Sequence, residues 1–175
     1  WTDEENKRIN DIKDFIPAFL NPDRLFKMLH LYTVLNDTER CMMIMRPYQV
    51  YATELLLDKA LSSDDNGYVW HTTGAGKTLT CWKCAKLLIT HPEIKKVFFL
   101  IDRRDLDTQT TEDFSEYEKN SLDQTEDTKA LTEQTKDKNR KLIITTIQKM
   151  SHAINDPKYK SIMEEYANEK VVFLI

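Results

Sequence analysis

The stretch HTTGAGKT, residues 71–78, joins an apolar run that predicts a strand at residues 68–72 to a run that predicts a helix from Lys77 onward. Two glycines followed by Lys-Thr, with a strand before them and a helix after them, are the setting in which a phosphate-binding loop is credible. Gly74 and Gly76 let the backbone turn and approach a phosphate without a Cβ in the way. The alternative, a glycine-containing turn before an ordinary helix, does not account for all of these features together.

The loop predicts a nucleotide site in which two side chains carry the chemistry. Its backbone amides would face an anion at the start of a helix, whose dipole favours negative charge. Lys77 would supply a positive charge to the β- and γ-phosphates, and Thr78 would supply its hydroxyl to a bridging Mg²⁺ as metal ligand. Lys77 and Thr78 are therefore the predicted catalytic residues. The predicted nucleotide ligands in the loop are Thr73, Gly74, Ala75, Gly76, Lys77 and Thr78.

His71 departs from the general Walker pattern, which has glycine at this position. The first position only has to let the chain leave the strand, because the glycines nearer the phosphates meet the steric demand. His71 therefore does not rule out the site. It is either a packed residue that shapes the start of the loop or a catalytic or sensing histidine, and packing is the favoured interpretation.

The rest of the chain alternates between apolar runs and helix-like segments. The runs at residues 95–103, 141–147 and 171–175 are nearly continuous in apolar residues, as expected of strands buried on both faces. The alternation predicts an α/β fold, with a parallel sheet and helices on both faces. Residues 1–45 predict a small, mostly helical lead-in, and residues 46–175 predict the domain that carries the loop.

The composition is that of a globular protein, with 41% hydrophobic and 31% charged residues in a chain of 175. The net charge of −4 gives no hint of nucleic acid, although a local basic groove is all that phosphate contacts require. We expect no membrane association, because no apolar run approaches the ~20 residues of a span. Three cysteines cannot all pair, which favours a reducing cytoplasm. Cys81 and Cys84 have the spacing of one Cys-x-x-Cys motif, and the sequence has no second one. Because a structural zinc site needs four ligands, we expect these cysteines to pack in the core or on a helix face.

Four segments of the chain are informative together: WHTTGAGKTLT at residues 70–80, RPYQ at 46–49 and the segments at 97–110 and 143–150. They resemble the R (restriction) subunit of type I restriction–modification systems, a superfamily 2 helicase-like DNA translocase. The loop is similar to the ATP loop of that family, which carries a histidine where His71 stands. RPYQ at 46–49 resembles the element ahead of the loop. The segments at 97–110 and 143–150 resemble helicase motifs Ia and Ib, and residues 21–32 resemble the family's lead-in to the motor.

The resemblance assigns tasks to the element ahead of the loop. The planar amide of Gln49 has a donor and an acceptor that match N7 and N6 of adenine, so Gln49 would select ATP over GTP. Arg46 would support the nucleotide or the loop. The alternative for Gln49 is a place on an exposed helix face, because Tyr-Gln is a common dipeptide.

The resemblance also implies DNA contacts at the carboxyl ends of two strands, where ligands bind in open α/β sheets. Arg103 and Arg104 follow one buried strand and are candidate contacts to DNA phosphates. The alternative is a salt bridge of one arginine to Asp105 or Asp107. Thr145, Thr146 and Gln148 end the next strand and begin a helix. The alternative to a DNA contact is structural: β-branched residues fill the strand and cap the next helix.

The resemblance implies a parent protein that translocates double-stranded DNA with ATP and cuts it, together with M and S subunits, in a bacterial or archaeal cytoplasm. Residues 46–175 would then be the first RecA-like motor lobe, truncated just before the Asp-Glu-x-His motif, and residues 1–45 would link it to a nuclease domain. We expect this piece to be inactive alone, because hydrolysis also needs those carboxylates and arginines from a second lobe. The alternatives are another superfamily 2 DNA or RNA helicase and a non-motor ATP-binding regulatory module.

Overall fold

A computed structural model describes residues 1–36, 39–101 and 127–175. By its internal contacts the chain divides into two compact units, Trp1–Cys84 and Ala85–Ile175. The first unit contains the lead-in and the glycine loop. The second unit contains a parallel sheet.

The first unit begins with two short helices and a hairpin. Asn21 accepts hydrogen bonds from the amides of Asp23 and Arg24 and Pro22 is the first helical residue, which is the usual N-cap arrangement of an Asn-Pro sequence. The hairpin is antiparallel and pairs Val34 with Met43. The elements in chain order are α1 (Ile12–Phe19), α2 (Pro22–His30), β1 (Thr33–Asn36), β2 (Cys41–Ile44), α3 (Pro47–Ser62) and α4 (Lys77–Leu88), of which α4 continues into the second unit.

The second unit confirms the predicted α/β fold. Its strands are parallel in the order β4-β3-β5, and Ile101 is paired with Thr146 where β3 and β4 end. Every residue of β3 is buried, which agrees with its nearly continuous apolar sequence. The elements are β3 (Lys96–Ile101), α5 (Thr128–Lys136), β4 (Leu142–Thr146), α6 (Ile147–Asn155), α7 (Pro157–Glu164) and β5 (Val171–Leu174).

The core of this unit lies between the sheet and its helices. Phe98 and Leu100 of β3 pack with Ile143 of β4 against Leu131 of α5 and Met150 of α6. The strand residues alternate, so one face of the sheet meets the apolar stripes of the two helices. This packing fixes β4 and the start of α6, where several predicted site residues stand.

Lys96 is a charged residue inside this layer, with a side chain only 1% exposed. Its Nζ donates hydrogen bonds to the carbonyl oxygens of Asp137 at 2.7 Å, Arg140 at 2.6 Å and Gln134 at 3.5 Å. Burial lowers the pKa of Lys96 to about 8. The negative charge of Asp137 raises the pKa, but by less than burial lowers it. The lysine thus ties the C-terminal end of α5 to β3.

The strand predicted at residues 68–72 is wrong. Residues 66–72 have no strand pairing, and the side chains of Tyr68 and Trp70 are 87% and 86% exposed. Among the described residues, the paired strands are β1 with β2 and β4 with β3 and β5. An apolar, aromatic run fits a pleated surface but becomes a strand only when a neighbour pairs with it, and this run has the composition without the pairing.

Candidate nucleotide-binding site

The glycine loop turns between Thr72 and the start of α4. Gly74 and Gly76 both have φ of +76°, the left-handed region that favours glycine. The turn is closed by a hydrogen bond of 3.2 Å from the amide of Ala75 to the carbonyl oxygen of Thr72. A Cβ on Gly76 would collide with Nε2 of Gln49, whereas a Cβ on Gly74 would have no atom within 4 Å. The two glycines therefore have the same backbone requirement but different surroundings.

Lys77 and Thr78 stand in the first turn of α4, at the end of the loop. Lys77 is exposed, and its Nζ donates to the carbonyl oxygen of Thr72 at 3.3 Å. The first amides of a helix have no acceptor within the helix, and the dipole adds positive potential there. The first amides of α4 can therefore bind an anion, and the Lys77 side chain starts from the same helical turn.

One carbonyl oxygen connects the loop to the helix that precedes it. The carbonyl oxygen of Ala75 accepts hydrogen bonds from the Tyr48 hydroxyl and from Nε2 of Gln49, both at 3.0 Å. A carbonyl oxygen has two lone pairs, so it can accept both bonds at once. Oε1 of Gln49 meanwhile accepts from the amide of Arg46 at 2.9 Å, which caps the start of α3. The RPYQ element and the loop are therefore one hydrogen-bonded assembly.

The placement of Gln49 bears on its predicted contact with adenine. The side chain is 5% exposed and its amide is oriented by the bonds to Arg46 and Ala75. An amide has two N–H donors and two acceptor lone pairs, so these bonds leave one donor and one acceptor on the group. Gln49 is thus held at the loop and not on an exposed helix face, and its contact with adenine stays a prediction. Arg46 lies beside it, with Nη1 3.5 Å from the Tyr48 hydroxyl.

His71 packs against the same tyrosine. Its ring meets the ring of Tyr48 edge to face, with centroids 5.7 Å apart and planes at 87°. Burial lowers the pKa of His71 below its usual value, and the positive charge of Lys77 lowers it further. The ring contact supports the packing interpretation of this residue.

The residues predicted to contact DNA fall in two groups. Thr145 and Thr146 end β4 and are each 4% exposed, and Oγ1 of Thr146 accepts from the amide of Lys149 at 3.2 Å, which caps α6. Gln148 is exposed on the first turn of that helix. Arg103 and Arg104 lie outside the described residues. The DNA contacts of all five residues remain predictions.

Three hydrogen bonds between the lead-in and the helices that flank the loop were not predicted. Glu54 of α3 accepts hydrogen bonds from Arg24 and from the Tyr32 hydroxyl, and Nζ of Lys83 of α4 donates to the carbonyl oxygen of Thr33. The only signal in the sequence is a charged residue at a core-facing helix position. Lys83, for example, stands between the buried residues Trp82 and Cys84.

The three cysteines differ strongly in their surroundings. Cys41 is exposed on β2, Cys81 is partly buried and Cys84 is fully buried on α4. Burial raises the pKa of Cys81, and burial together with Cys81 raises the pKa of Cys84 to about 12. Within the described residues, no group of three or more His, Cys, Asp or Glu side chains could hold a metal ion.

No helix in the described part of the chain is both long enough and apolar enough to cross a membrane.

Comparisons with known proteins place this loop in a family. The family model described as SWI2/SNF2 ATPase matches residues 48–175. The type I restriction enzyme SsaAORF53P endonuclease subunit of Staphylococcus saprophyticus is 49% identical over 175 residues, which are 100% of this chain and 19% of that protein. The SauMRSORF196P endonuclease subunit of Staphylococcus aureus is 48% identical over the same length and share. The chain thus spans about a fifth of the length of these relatives.

A shorter relative matches almost end to end. It is named as the C-terminal part of the putative type I restriction enzyme MpnIIP endonuclease subunit, from Mycoplasma pneumoniae. It is 34% identical over 186 residues, which are 99% of this chain and 89% of that protein. The family model covers the element at Tyr48 and Gln49, the loop and the parallel sheet. The resemblance seen in the motifs is confirmed: the chain belongs to the SWI2/SNF2 ATPases and to the endonuclease subunits of type I restriction enzymes.

Proposed function

We propose that this chain carries the nucleotide-binding part of an ATP-driven motor that moves double-stranded DNA in a type I restriction enzyme. The observation that carries the proposal is the assembly at Ala75, whose carbonyl oxygen holds Tyr48 and Gln49 against the loop. This contact holds the Gln49 amide beside the glycine loop, with one donor and one acceptor left for a base, which supports ATP as the nucleotide.

The triphosphate would bind across the turn and the start of α4. The free amides of the first helical turn would bind its oxygens, and Lys77 would leave the carbonyl oxygen of Thr72 to neutralise the β- and γ-phosphates. Gln49 would keep its bonds to Arg46 and Ala75 and offer its remaining donor and acceptor to N7 and N6 of adenine. The amide is held before the base arrives, which lowers the entropy lost on binding.

Thr78 is suited to hold Mg²⁺ together with the nucleotide's own phosphates. Thr78 is half-buried in the first turn of α4, one residue after Lys77. Mg²⁺ favours oxygen ligands and is commonly bound by one or two protein oxygens plus substrate phosphates. When bound, the ion would neutralise charge that develops on the β- and γ-oxygens.

The DNA would be contacted without regard to sequence. We propose Arg103, Arg104, Thr145, Thr146 and Gln148 as contacts to its phosphates. Support comes from the register of the sheet, which pairs Ile101 with Thr146 and so puts the ends of β3 and β4 side by side. Ligands of open parallel sheets bind at this edge.

The domain organisation belongs to the same proposal. Residues 46–175 would form the first RecA-like lobe, and residues 1–45 would link it to a nuclease domain. Recognition of a DNA sequence and methylation would belong to separate S and M subunits, which the relatives' names as endonuclease subunits of a restriction enzyme support.

The test is ATP hydrolysis by the full-length protein with and without duplex DNA. We expect duplex DNA to stimulate hydrolysis, without strand separation, and Lys77→Ala to remove nucleotide binding and turnover. Lys95→Ala is the matched control, because Lys95 is an exposed lysine outside the loop. Strand separation would favour a helicase instead of a translocase. Binding of ATP without any stimulation by DNA would favour a non-motor regulatory module.

A further inference from the structure

Two neighbouring residues at the start of β1 reach both helices that flank the nucleotide loop. The Tyr32 hydroxyl donates to Oε1 of Glu54 on α3 at 3.2 Å. The carbonyl oxygen of the next residue, Thr33, accepts from Nζ of Lys83 on α4 at 3.1 Å. A single point of the lead-in is therefore bonded to α3 and to α4.

The bond to α3 is part of a charged cluster. Nη1 of Arg24 on α2 lies 3.2 Å from the same Oε1 of Glu54, and the two side chains are 18% and 31% exposed. The Arg24 guanidinium also stands 5.0 Å from the ring centroid of Tyr51. Tyr32 is 2% exposed, and burial and the neighbouring Glu54 carboxylate raise its pKa, so the hydroxyl stays a donor at neutral pH. Hydrogen bonds to a partly buried carboxylate are stronger than those between neutral groups.

The bond to α4 comes from a lysine that is itself buried. Lys83 is 9% exposed, and its Nζ lies 5.8 Å from the ring centroid of Trp82 as well as on the Thr33 carbonyl oxygen. Burial of an ammonium group is unfavourable unless it is hydrogen-bonded. The position of α4 relative to β1 is thus strongly specified.

We propose that Glu54 and Lys83 are positioning residues, which act through Tyr32 and Thr33 to couple the β1–β2 hairpin to the nucleotide loop. The proposal rests on the proposed function. The start of α3 holds Ala75 through Tyr48 and Gln49, and the start of α4 carries Lys77. A shift of either helix relative to β1 therefore changes the distance between the adenine-matching amide and the phosphate-binding turn.

The coupling works in both directions. Any contact that moves the hairpin alters the affinity of the loop for nucleotide, and nucleotide binding alters the hairpin by the same free energy. The SWI2/SNF2 match begins at residue 48, whereas the restriction-enzyme relatives match the whole chain. The hairpin therefore lies outside the part matched by the ATPase model and inside the part shared with the restriction-enzyme relatives.

The first experiment measures the kinetics of ATP hydrolysis by the full-length protein. We expect Lys83→Met and Glu54→Ala each to raise KM for ATP by about fivefold or more, the scale of a typical coupling, with a smaller change in kcat. Lys83→Arg should restore most of the wild-type KM, because arginine can still donate to the Thr33 carbonyl oxygen. Lys141→Met is the matched control, because Lys141 also donates to two backbone carbonyl oxygens, those of Ile89 and His91, in the other unit.

The second experiment measures hydrogen exchange of residues 31–45 with and without saturating ADP, and its main comparison uses the wild-type protein. We expect ADP to slow amide exchange in the hairpin of the wild-type protein, and Lys83→Met to abolish this change although ADP still binds. Two results would overturn the coupling and leave the proposed function intact. One is the same rate of amide exchange in the hairpin with and without bound ADP. The other is an unchanged KM for ATP in folded Lys83→Met and Glu54→Ala proteins. A wild-type protein that binds no nucleotide would overturn both. Thermal unfolding identifies variants that do not fold, in which case the wild-type exchange result decides.

Discussion

Nε2 of Gln49 donates a hydrogen bond of 3.0 Å to the carbonyl oxygen of Ala75, 26 residues further along the chain. The same amide caps α3 by accepting from the amide of Arg46. One planar group thus fixes both the start of a helix and the shape of the loop. Substitutions that separate these roles are informative.

Gln49→Glu retains an acceptor for the Arg46 amide but cannot donate to Ala75. We expect it to raise KM for ATP by about tenfold, because the carboxylate faces a carbonyl oxygen across a buried contact worth ~1–3 kcal/mol. Gln49→Ala should in addition lose the helix cap, at about 0.5–2 kcal/mol of stability. ATP titration and urea unfolding of both variants distinguish the two losses. A wild-type KM for Gln49→Glu would show that the contact with Ala75 does not shape the site.

Gly74→Ala and Gly76→Ala form a matched pair. Both place a Cβ at φ of +76°, which costs about 1–2 kcal/mol. Only the Cβ at Gly76 collides with Gln49, so Gly76→Ala should also displace the amide from Ala75. We expect a similar backbone penalty in urea unfolding but weaker nucleotide binding for Gly76→Ala than for Gly74→Ala. Equal binding by the two would contradict this account of the loop.

His71 should make stability depend on pH on the acid side of neutrality. Its pKa in the folded protein is below the ordinary value, through burial and the charge of Lys77. The pKa of this histidine in the unfolded chain is about 6.5. As the pH falls through that value, the unfolded chain takes up a proton before the folded protein does, so the free energy of unfolding of the wild type falls. His71→Phe retains a ring for Tyr48 and cannot titrate. We expect the free energy of unfolding of the wild type to drop relative to this variant between pH 7.5 and 5; parallel curves would count against the lowered pKa.

Lys96→Met should destabilise the second unit by several kcal/mol, because it leaves three carbonyl oxygens without their donor at ~1–3 kcal/mol each. Lys95→Met, at the exposed neighbour, should have little effect. The pKa of Lys96 is lowered to about 8 in the folded protein, so above pH 8 the unfolded chain holds more protons. The stability of the wild type relative to Lys96→Met should therefore increase as the pH rises from 8 toward 10.5. Urea unfolding across this range measures it, and a difference that shrinks with pH would refute it.

The parts of the fold that were predictable have local causes. Asn21 and Pro22 mark a helix start by a cap and a fixed φ, and the glycines of the loop mark positions where only glycine is unstrained. The buried strands β3 and β4 are visible as apolar runs because both of their faces are covered. The motif singled out Gln49 as a site residue, but it did not predict its bond to Ala75.

The parts that failed depend on partners far away in the chain. Residues 68–72 have the composition of a strand, and no local feature shows whether a neighbour pairs with them. Lys83 and Lys96 would ordinarily be assigned to the surface, because lysine is rarely buried. Each is buried because backbone carbonyl oxygens from a distant segment accept its hydrogen bonds, and a linear pattern does not contain that information.

The unequal surroundings of the three cysteines allow one of them to be labelled selectively in this chain. A maleimide reacts with an accessible thiolate, which Cys84 does not offer, since it is fully buried and its pKa is raised to about 12. Cys81 is partly buried with a raised pKa, so the exposed Cys41 reacts first. A fluorophore on Cys41 would therefore sit on the β1–β2 hairpin with no engineered cysteine. It would turn movement of the hairpin on nucleotide binding into an optical signal that can be followed in real time.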